Sequence, residues 1–161
     1  MAIILFILTF VSFKTLKNKN TMNDNCLYCN DNQAQKELMI KVCKLENSTV
    51  YLFKEQTYRG RCIVAYKEHA VELYALQGKA LLDYMEDVNK VARAMNEVFN
   101  PVKINYGAYS DKFPHLHMHL VPKYVDGPDY GGVFVMNPQK VYLAEEEYQT
   151  MVDALKNKLS L

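Results

Sequence analysis

The sequence predicts an α+β domain: an antiparallel sheet of about five strands with a long helix and a C-terminal helix against it. Three observations lead there. Apolar runs of strand length recur at 39–45, 50–53, 60–66, 102–108 and 115–121. Two stretches, 79–99 and 145–159, instead carry apolar residues three and four apart, the period of a helix with one buried face. Strands and helices do not strictly alternate, which favours an antiparallel sheet with helices on one side over a parallel one.

In chain order, 23–32 is polar and turn-rich around Cys26 and Cys29, a loop or knuckle. Residues 33–38 tolerate a helix. Ile40, Val42 and Leu45 form the first strand, Asn47-Ser48 supplies turn chemistry and Val50 to Phe53 the second strand, so the pair reads as a hairpin. The third strand, Gly60 to Tyr66, has a nearly continuous apolar centre and belongs in the middle of a sheet. Cys43 and Cys62 fall in these strands as small core residues. A short helix over Ala70 to Leu76 precedes the long one, Lys79 to Phe99, which Asn100-Pro101 stops. Val102 to Ala108 is the fourth strand, Tyr109 to Pro114 a loop, and the segment from His115 the fifth strand. Asp126 to Gly132 is a turn region, and Glu145 to Leu159 closes the chain as an amphipathic helix.

Length and composition exclude several classes. The 161 residues fit one domain, and half are hydrophobic, enough for a sizeable core. A formal charge of +1 gives no electrostatic case for nucleic acid or an anionic membrane as partner, so any anion must meet a local site. Residues 2–13 are apolar, but about 20 residues are needed to span a bilayer. Nothing cationic precedes that run and no cleavage pattern follows it, so a start at Met22 is the simpler account. Residues 1–21 are expected to lie outside the fold and 22–161 to form it; a membrane contact requires residues 2–13 to be a real anchor. A reduced, cytoplasmic setting is expected for the four cysteines.

The chemistry gathers at Pro114-His115-Leu116-His117-Met118-His119-Leu120-Val121-Pro122, where three of the four histidines alternate with apolar residues. On a strand, alternate side chains share a face, so the imidazoles line one side about 6.6 Å apart while Leu116, Met118 and Leu120 enter the core. A neutral imidazole is nucleophilic and mostly unprotonated at pH 7. It can attack phosphorus, and a second imidazole nearby can hold a phosphate oxygen or the leaving group. Spacing alone does not rank His117 above His119.

The run HLHMHLV resembles the alternating histidine signature of the histidine triad, or HIT, family, followed by a similar Pro122-Lys123. Asn105 and Gly107 resemble the family's Asn-x-Gly on the preceding strand, and Gly60 to His69 its Gly-x-x-(three apolar)-x-Lys-x-His segment. The resemblance covers most of 26–124. It implies the HIT fold, commonly a homodimer, and nucleotidyl transfer from a nucleoside phosphate derivative, a dinucleoside polyphosphate or nucleoside phosphoramidate, to water or another acceptor. His117 would be the nucleophile forming a covalent nucleotidyl-histidine, His119 would contact the phosphate and leaving-group oxygen, and Asn105 would contact phosphate. The loop before the row reads Tyr109 to Pro114 where many members have Gly-Gln-Ser/Thr, so Ser110 or Lys112 would make the leaving-group contacts. Arg59-Gly60-Arg61 replaces the frequent Pro-Gly-His, and the carboxylate nearest the family's ribose-binding position is Glu55. The arginines suit a more anionic substrate or are ordinary surface charges.

By spacing alone, Cys26 and Cys29 are half of a zinc site or a redox pair. Some bacterial HIT proteins bind structural zinc through two such cysteines, a histidine placed like His69 and the first triad histidine, and Cys26, Cys29, His69 and His115 match all four places. The expected cofactor is therefore one structural zinc ion, with no organic cofactor. The alternative to a hydrolase or transferase is a zinc-stabilised nucleotide-binding module with little turnover.

Overall fold

A computed structural model describes residues 26–159. The expected leader, residues 1–21, lies outside the described residues. Within them a short helix α1 (Gln33–Leu38) leads into a five-stranded sheet of β1 (Met39–Lys44), β2 (Ser48–Phe53), β3 (Cys62–Tyr66), β4 (Lys103–Gly107) and β5 (His117–Lys123). The long helix α2 (Gly78–Phe99) connects β3 to β4, and α3 (Glu145–Leu159) ends the fold. Strand order is β1-β2-β3-β5-β4 with every neighbouring pair antiparallel.

One face of the sheet is covered by helices. Val50, Leu52, Val64, Met118 and Leu120 point toward Tyr84, Val88, Val91 and Met95 of α2 and toward Met151, Val152 and Leu155 of α3. Tyr84 is anchored by its hydroxyl, which donates to the Val64 carbonyl at 2.9 Å. Asp87 ties α2 to the β1–β2 turn by accepting from the Asn47 amide and the Ser48 hydroxyl. Gly60 turns the chain into β3 at a φ of +86°, and a Cβ there would lie 2.6 Å from the Phe99 ring, so only glycine fits.

The opposite face carries Met39, Tyr51, Phe53, Ile63 and Ala65. Cross-strand pairing puts His117 opposite Ala65 and His119 opposite Ile63, so both imidazoles emerge on this face, away from α2 and α3. Residues 124–144, which have no helix or strand, run across its end as a strap. Lys123 Nζ donates to the carbonyls of Pro128 and Asp129, and the Tyr58 hydroxyl pairs with Asp129 and accepts from the Val135 amide. At the far end Glu55 accepts from the amides of Lys140 and Val141.

Two expectations change. The helix expected over 70–76 is a single 3-10 turn, Leu73–Ala75, too short to bury an apolar face. The histidine strand begins at His117 rather than His115, because the β3 ladder ends at the Ala65–His117 pair. His115 sits just before it, where its amide bonds the Phe113 carbonyl at 2.7 Å and the next amide bonds Ala70. The row is therefore two strand histidines preceded by one on a bend.

Candidate functional site

Two neighbouring sites meet at the start of β5. The first is a cluster of Cys26, Cys29, His69 and His115, whose four ligand atoms lie within 4.8 Å of one another and could hold a metal ion. The knuckle supplies the two thiols, the chain after β3 supplies His69, and the bend before β5 supplies His115. Cys26 Sγ and Cys29 Sγ stand 3.4 and 3.6 Å from His115 Nδ1, and Cys29 Sγ stands 3.4 Å from His69 Nδ1. A tetrahedral zinc with ordinary bond lengths places sulfur and nitrogen about 3.6 Å apart, so the donors are spaced to close around such an ion. The tautomer of His115 also fits. A carbonyl only accepts, so the 2.8 Å bond from Nε2 to the Tyr66 carbonyl puts the proton on Nε2 and leaves Nδ1 bare toward the thiols. Burial pulls this imidazole down to about 4, keeping it neutral.

The second site is a cavity of about 600 Å³ on the sheet face opposite α2 and α3. Its floor is His117 and His119, with ring centroids 5.1 Å apart. Leu27, Tyr28, Phe53 and Ile63 form one wall, Tyr109, Asp111, Lys112 and Phe113 another, and Val133, Phe134, Met136 and Asn137 of the strap a third. Such a mainly apolar cleft with a few polar groups at its base is the form of a small-molecule site.

The two imidazoles carry opposite tautomers. His117 Nδ1 donates to the His115 carbonyl at 2.6 Å, which leaves its Nε2 with a free lone pair. His119 Nδ1 lies 3.0 Å from Arg61 Nη2; a guanidinium only donates, so Nδ1 accepts and Nε2 carries the hydrogen. Burial lowers both below the usual histidine range, His119 to about 2 with the neighbouring Arg61 charge adding to the effect. A lone-pair nitrogen and an N–H donor thus stand side by side, able to attack an electrophile and to hold its oxygen.

Arg61 overturns the expectation of an ordinary surface charge. It is wholly buried, its guanidinium 4.3 Å from the Phe53 ring centroid and 5.2 Å from that of Phe134, while Nη1 donates to the Met136 carbonyl at 2.6 Å. Burial draws it down to about 10, which still leaves it charged at neutral pH. Arg59, its neighbour but one, is exposed. Tyr28, between the two knuckle cysteines, is a residue that sequence reasoning passed over: its ring lies 4.5 Å from His117 and 5.2 Å from His115, bridging the two sites. No periodic or motif signal distinguishes Tyr28, whereas Arg61 is marked only by standing where the family's Pro-Gly-His has its histidine.

The remaining sequence candidates separate. Lys112 lines the cavity. Asn105 lies on the same face, cross-strand from Val121, but is not part of the cavity wall. Ser110 lies outside the wall too, donating instead to the His115 carbonyl at 3.3 Å, the same oxygen that receives the His117 proton. Glu55 is buried and directed at Thr57 and the 140–141 amides, and is not part of the cavity wall.

Comparison with known proteins agrees with this fold. A Bacillus subtilis protein named hit is 29% identical over 117 residues, 69% of this chain and 79% of that protein. An adenosine 5'-monophosphoramidase of Schizosaccharomyces pombe is 27% identical over 119 residues, 70% of this chain and 88% of that enzyme. Among solved structures, a histidine triad protein from Bradyrhizobium japonicum superposes with a TM-score of 0.73 at 23% identity, covering 80% of this chain and 96% of its own. A zinc-bound histidine triad protein from Mycobacterium smegmatis gives 0.53 at 19%, covering 76% and 84%. Residues 34–126, more than half of the sequence, match the HIT domain, and the chain belongs to the HIT family.

Proposed function

We propose that the protein is a nucleotide hydrolase or nucleotidyltransferase acting at the α-phosphate of a nucleoside phosphate derivative, a dinucleoside polyphosphate or a nucleoside phosphoramidate. The observation that carries this reading is the pair of opposed tautomers on the cavity floor. His117 Nε2 attacks the α-phosphorus, the bond to the leaving group breaks, and a nucleotidyl-histidine forms. His119 Nε2–H holds a phosphate oxygen as charge develops. Water then attacks the phosphorus and loses one proton to solvent, the P–N bond breaks with its electron pair returning to Nε2, and a nucleoside monophosphate leaves. Lys112 at the cavity wall lends positive charge, and Asn105 and Ser110 act through the strand and the His115 carbonyl that frame the nucleophile.

Cys26, Cys29, His69 and His115 hold one structural zinc ion in this reading. When bound, it supplies a closed four-ligand tie with no open position for substrate. His115 then serves both sites, its ring on the cluster and its carbonyl on His117 Nδ1. The resemblance also carries a homodimer, and the reduced cysteines a cytoplasmic setting. Among the described residues no helix is long and apolar enough to cross a membrane.

The test is turnover of a fluorogenic nucleoside phosphoramidate and a dinucleoside polyphosphate by wild type and His117→Ala. Release of nucleoside monophosphate that disappears in His117→Ala supports the proposal. Retained nucleotide binding without turnover of either compound would replace it with a nucleotide-binding module.

A further inference from the structure

The buried guanidinium of Arg61 is what the proposed reaction leaves unexplained. It faces no carboxylate within ion-pair distance among the described residues, and its Nε has no partner. Its two terminal nitrogens go to His119 Nδ1 and to the carbonyl and sulfur of Met136. Burying an unpaired cation is unfavourable unless something uses its charge or its donors. The Met136 contacts account for holding the strap, which a neutral donor could do equally well. The contact with His119 is different in kind, because a group that always donates and never accepts allows only the tautomer with a bare Nδ1.

We propose that Arg61 is a positioning and specificity residue, holding His119 as the Nε2–H tautomer so that it donates a hydrogen bond without passing a proton, and thereby selecting substrates whose leaving group departs as an anion. The proposal rests on the hydrolase reading above. The chemistry separates the two substrate classes. In an anhydride, the P–O bond breaks, the electron pair stays on the leaving oxygen, and the phosphate group departs as a stable anion with no proton required. In a phosphoramidate the electron pair goes to nitrogen, and departure of the amine requires a proton from a general acid. Beside a fixed positive charge, with Nδ1 already accepting and burial disfavouring the imidazolium, His119 does not supply that proton. The same charge attracts a departing anion. His117 shows the contrast: its Nδ1 donates to a carbonyl, which stabilises the positive charge the ring gains on attack.

The test uses the full chain with its metal bound. Nitrogen-15 NMR, with His119 assigned by its loss in His119→Gln, is expected to show a protonated Nε2 and a bare Nδ1 in wild type and in Arg61→Lys, whose ammonium also only donates. Arg61→Met is expected to admit the Nδ1–H tautomer. Wild type should favour a dinucleoside polyphosphate over a phosphoramidate of the same nucleoside in kcat/KM, and that ratio should fall by about tenfold or more in Arg61→Met and recover in Arg61→Lys. An Nδ1 proton on wild-type His119, or a wild-type preference for the phosphoramidate, overturns the proposal, and both are read without any Arg61 variant. So does a folded Arg61→Met protein whose substrate ratio changes by less than about twofold, which would leave Arg61 as a strap anchor. Turnover of neither compound would sink the hydrolase reading and the leaving-group preference together, whereas the NMR spectrum decides the tautomer independently.

Discussion

Removing the metal tie should loosen the molecule by an amount that follows from where the ligands sit in the chain. Cys26 and His115 are 89 residues apart, and Cys29 and His69 are 40 apart, so one ion closes long loops. Treated as a cross-link, a loop near 100 residues constrains the unfolded chain by about 4.7 kcal/mol in the entropic account. Treated by mass action, zinc at 100 times its dissociation constant adds about 2.7 kcal/mol. With roughly 2–4 °C per kcal/mol for a chain of this size, chelation should lower Tm by about 5–20 °C. The assay is thermal unfolding followed by circular dichroism, with and without chelator, beside zinc determination. Wild type should carry close to one zinc per chain. Cys26→Ala should carry almost none, unfold near the chelated wild-type temperature and no longer respond to chelator. Cys43→Ala is the control, since Cys43 lies on β1 outside the cluster. Full zinc loading in Cys26→Ala, or an unchanged Tm once wild-type zinc is gone, would refute the assignment.

Other expectations follow from single contacts. Stability should fall with acid through His119: its folded value of about 2 lies far below the unfolded value near 6.5, so the native state binds fewer protons and its advantage is complete only above that unfolded value. Between pH 7 and pH 5 this group alone should remove about 2 kcal/mol, seen as a urea-midpoint change that is smaller in His119→Gln. Gly60→Ala forces a methyl against the Phe99 ring at a positive φ and should cost about 2 kcal/mol or more by urea unfolding; a neutral result would show the turn can relax. Asp87→Ala leaves the Ser48 hydroxyl and the Asn47 amide without their acceptor and should cost about 1–3 kcal/mol, again by urea unfolding. A change below about 0.5 kcal/mol would mean water replaces the carboxylate.

The elements most readable in advance were those with a long period. The last helix has the bounds the spacing predicts, Glu145–Leu159, because Tyr148, Met151, Val152, Leu155 and Leu159 all reach the core. The strands were readable from their apolar runs, and the four cluster residues come together as the resemblance implied. What was hidden depends on partners distant in sequence. Arg61 looks like any strand-edge arginine until Phe53, Phe134, Met136 and His119 close around it from separate segments. The tautomers that distinguish His117 from His119 depend on one carbonyl and one guanidinium that alternation cannot reveal. His115 leaves the strand because the β3 ladder ends before reaching it, a matter of register rather than propensity.

The strap divides the labour of the cavity in a way that bears on how its selectivity can be changed. Its ends are clamped by Lys123, Tyr58 and Glu55, all buried, while Tyr130 and Val133 between the clamps face solvent. The sheet that carries the two histidines shares none of its ladder with this segment. Sequence between the clamps can therefore be exchanged to reshape the mouth of the cleft while the reacting nitrogens stay in register. Residues 130–133 are accordingly the place to begin if the protein is to be retargeted to a bulkier or smaller ligand, with Phe134 and Met136 kept as the seal over Arg61.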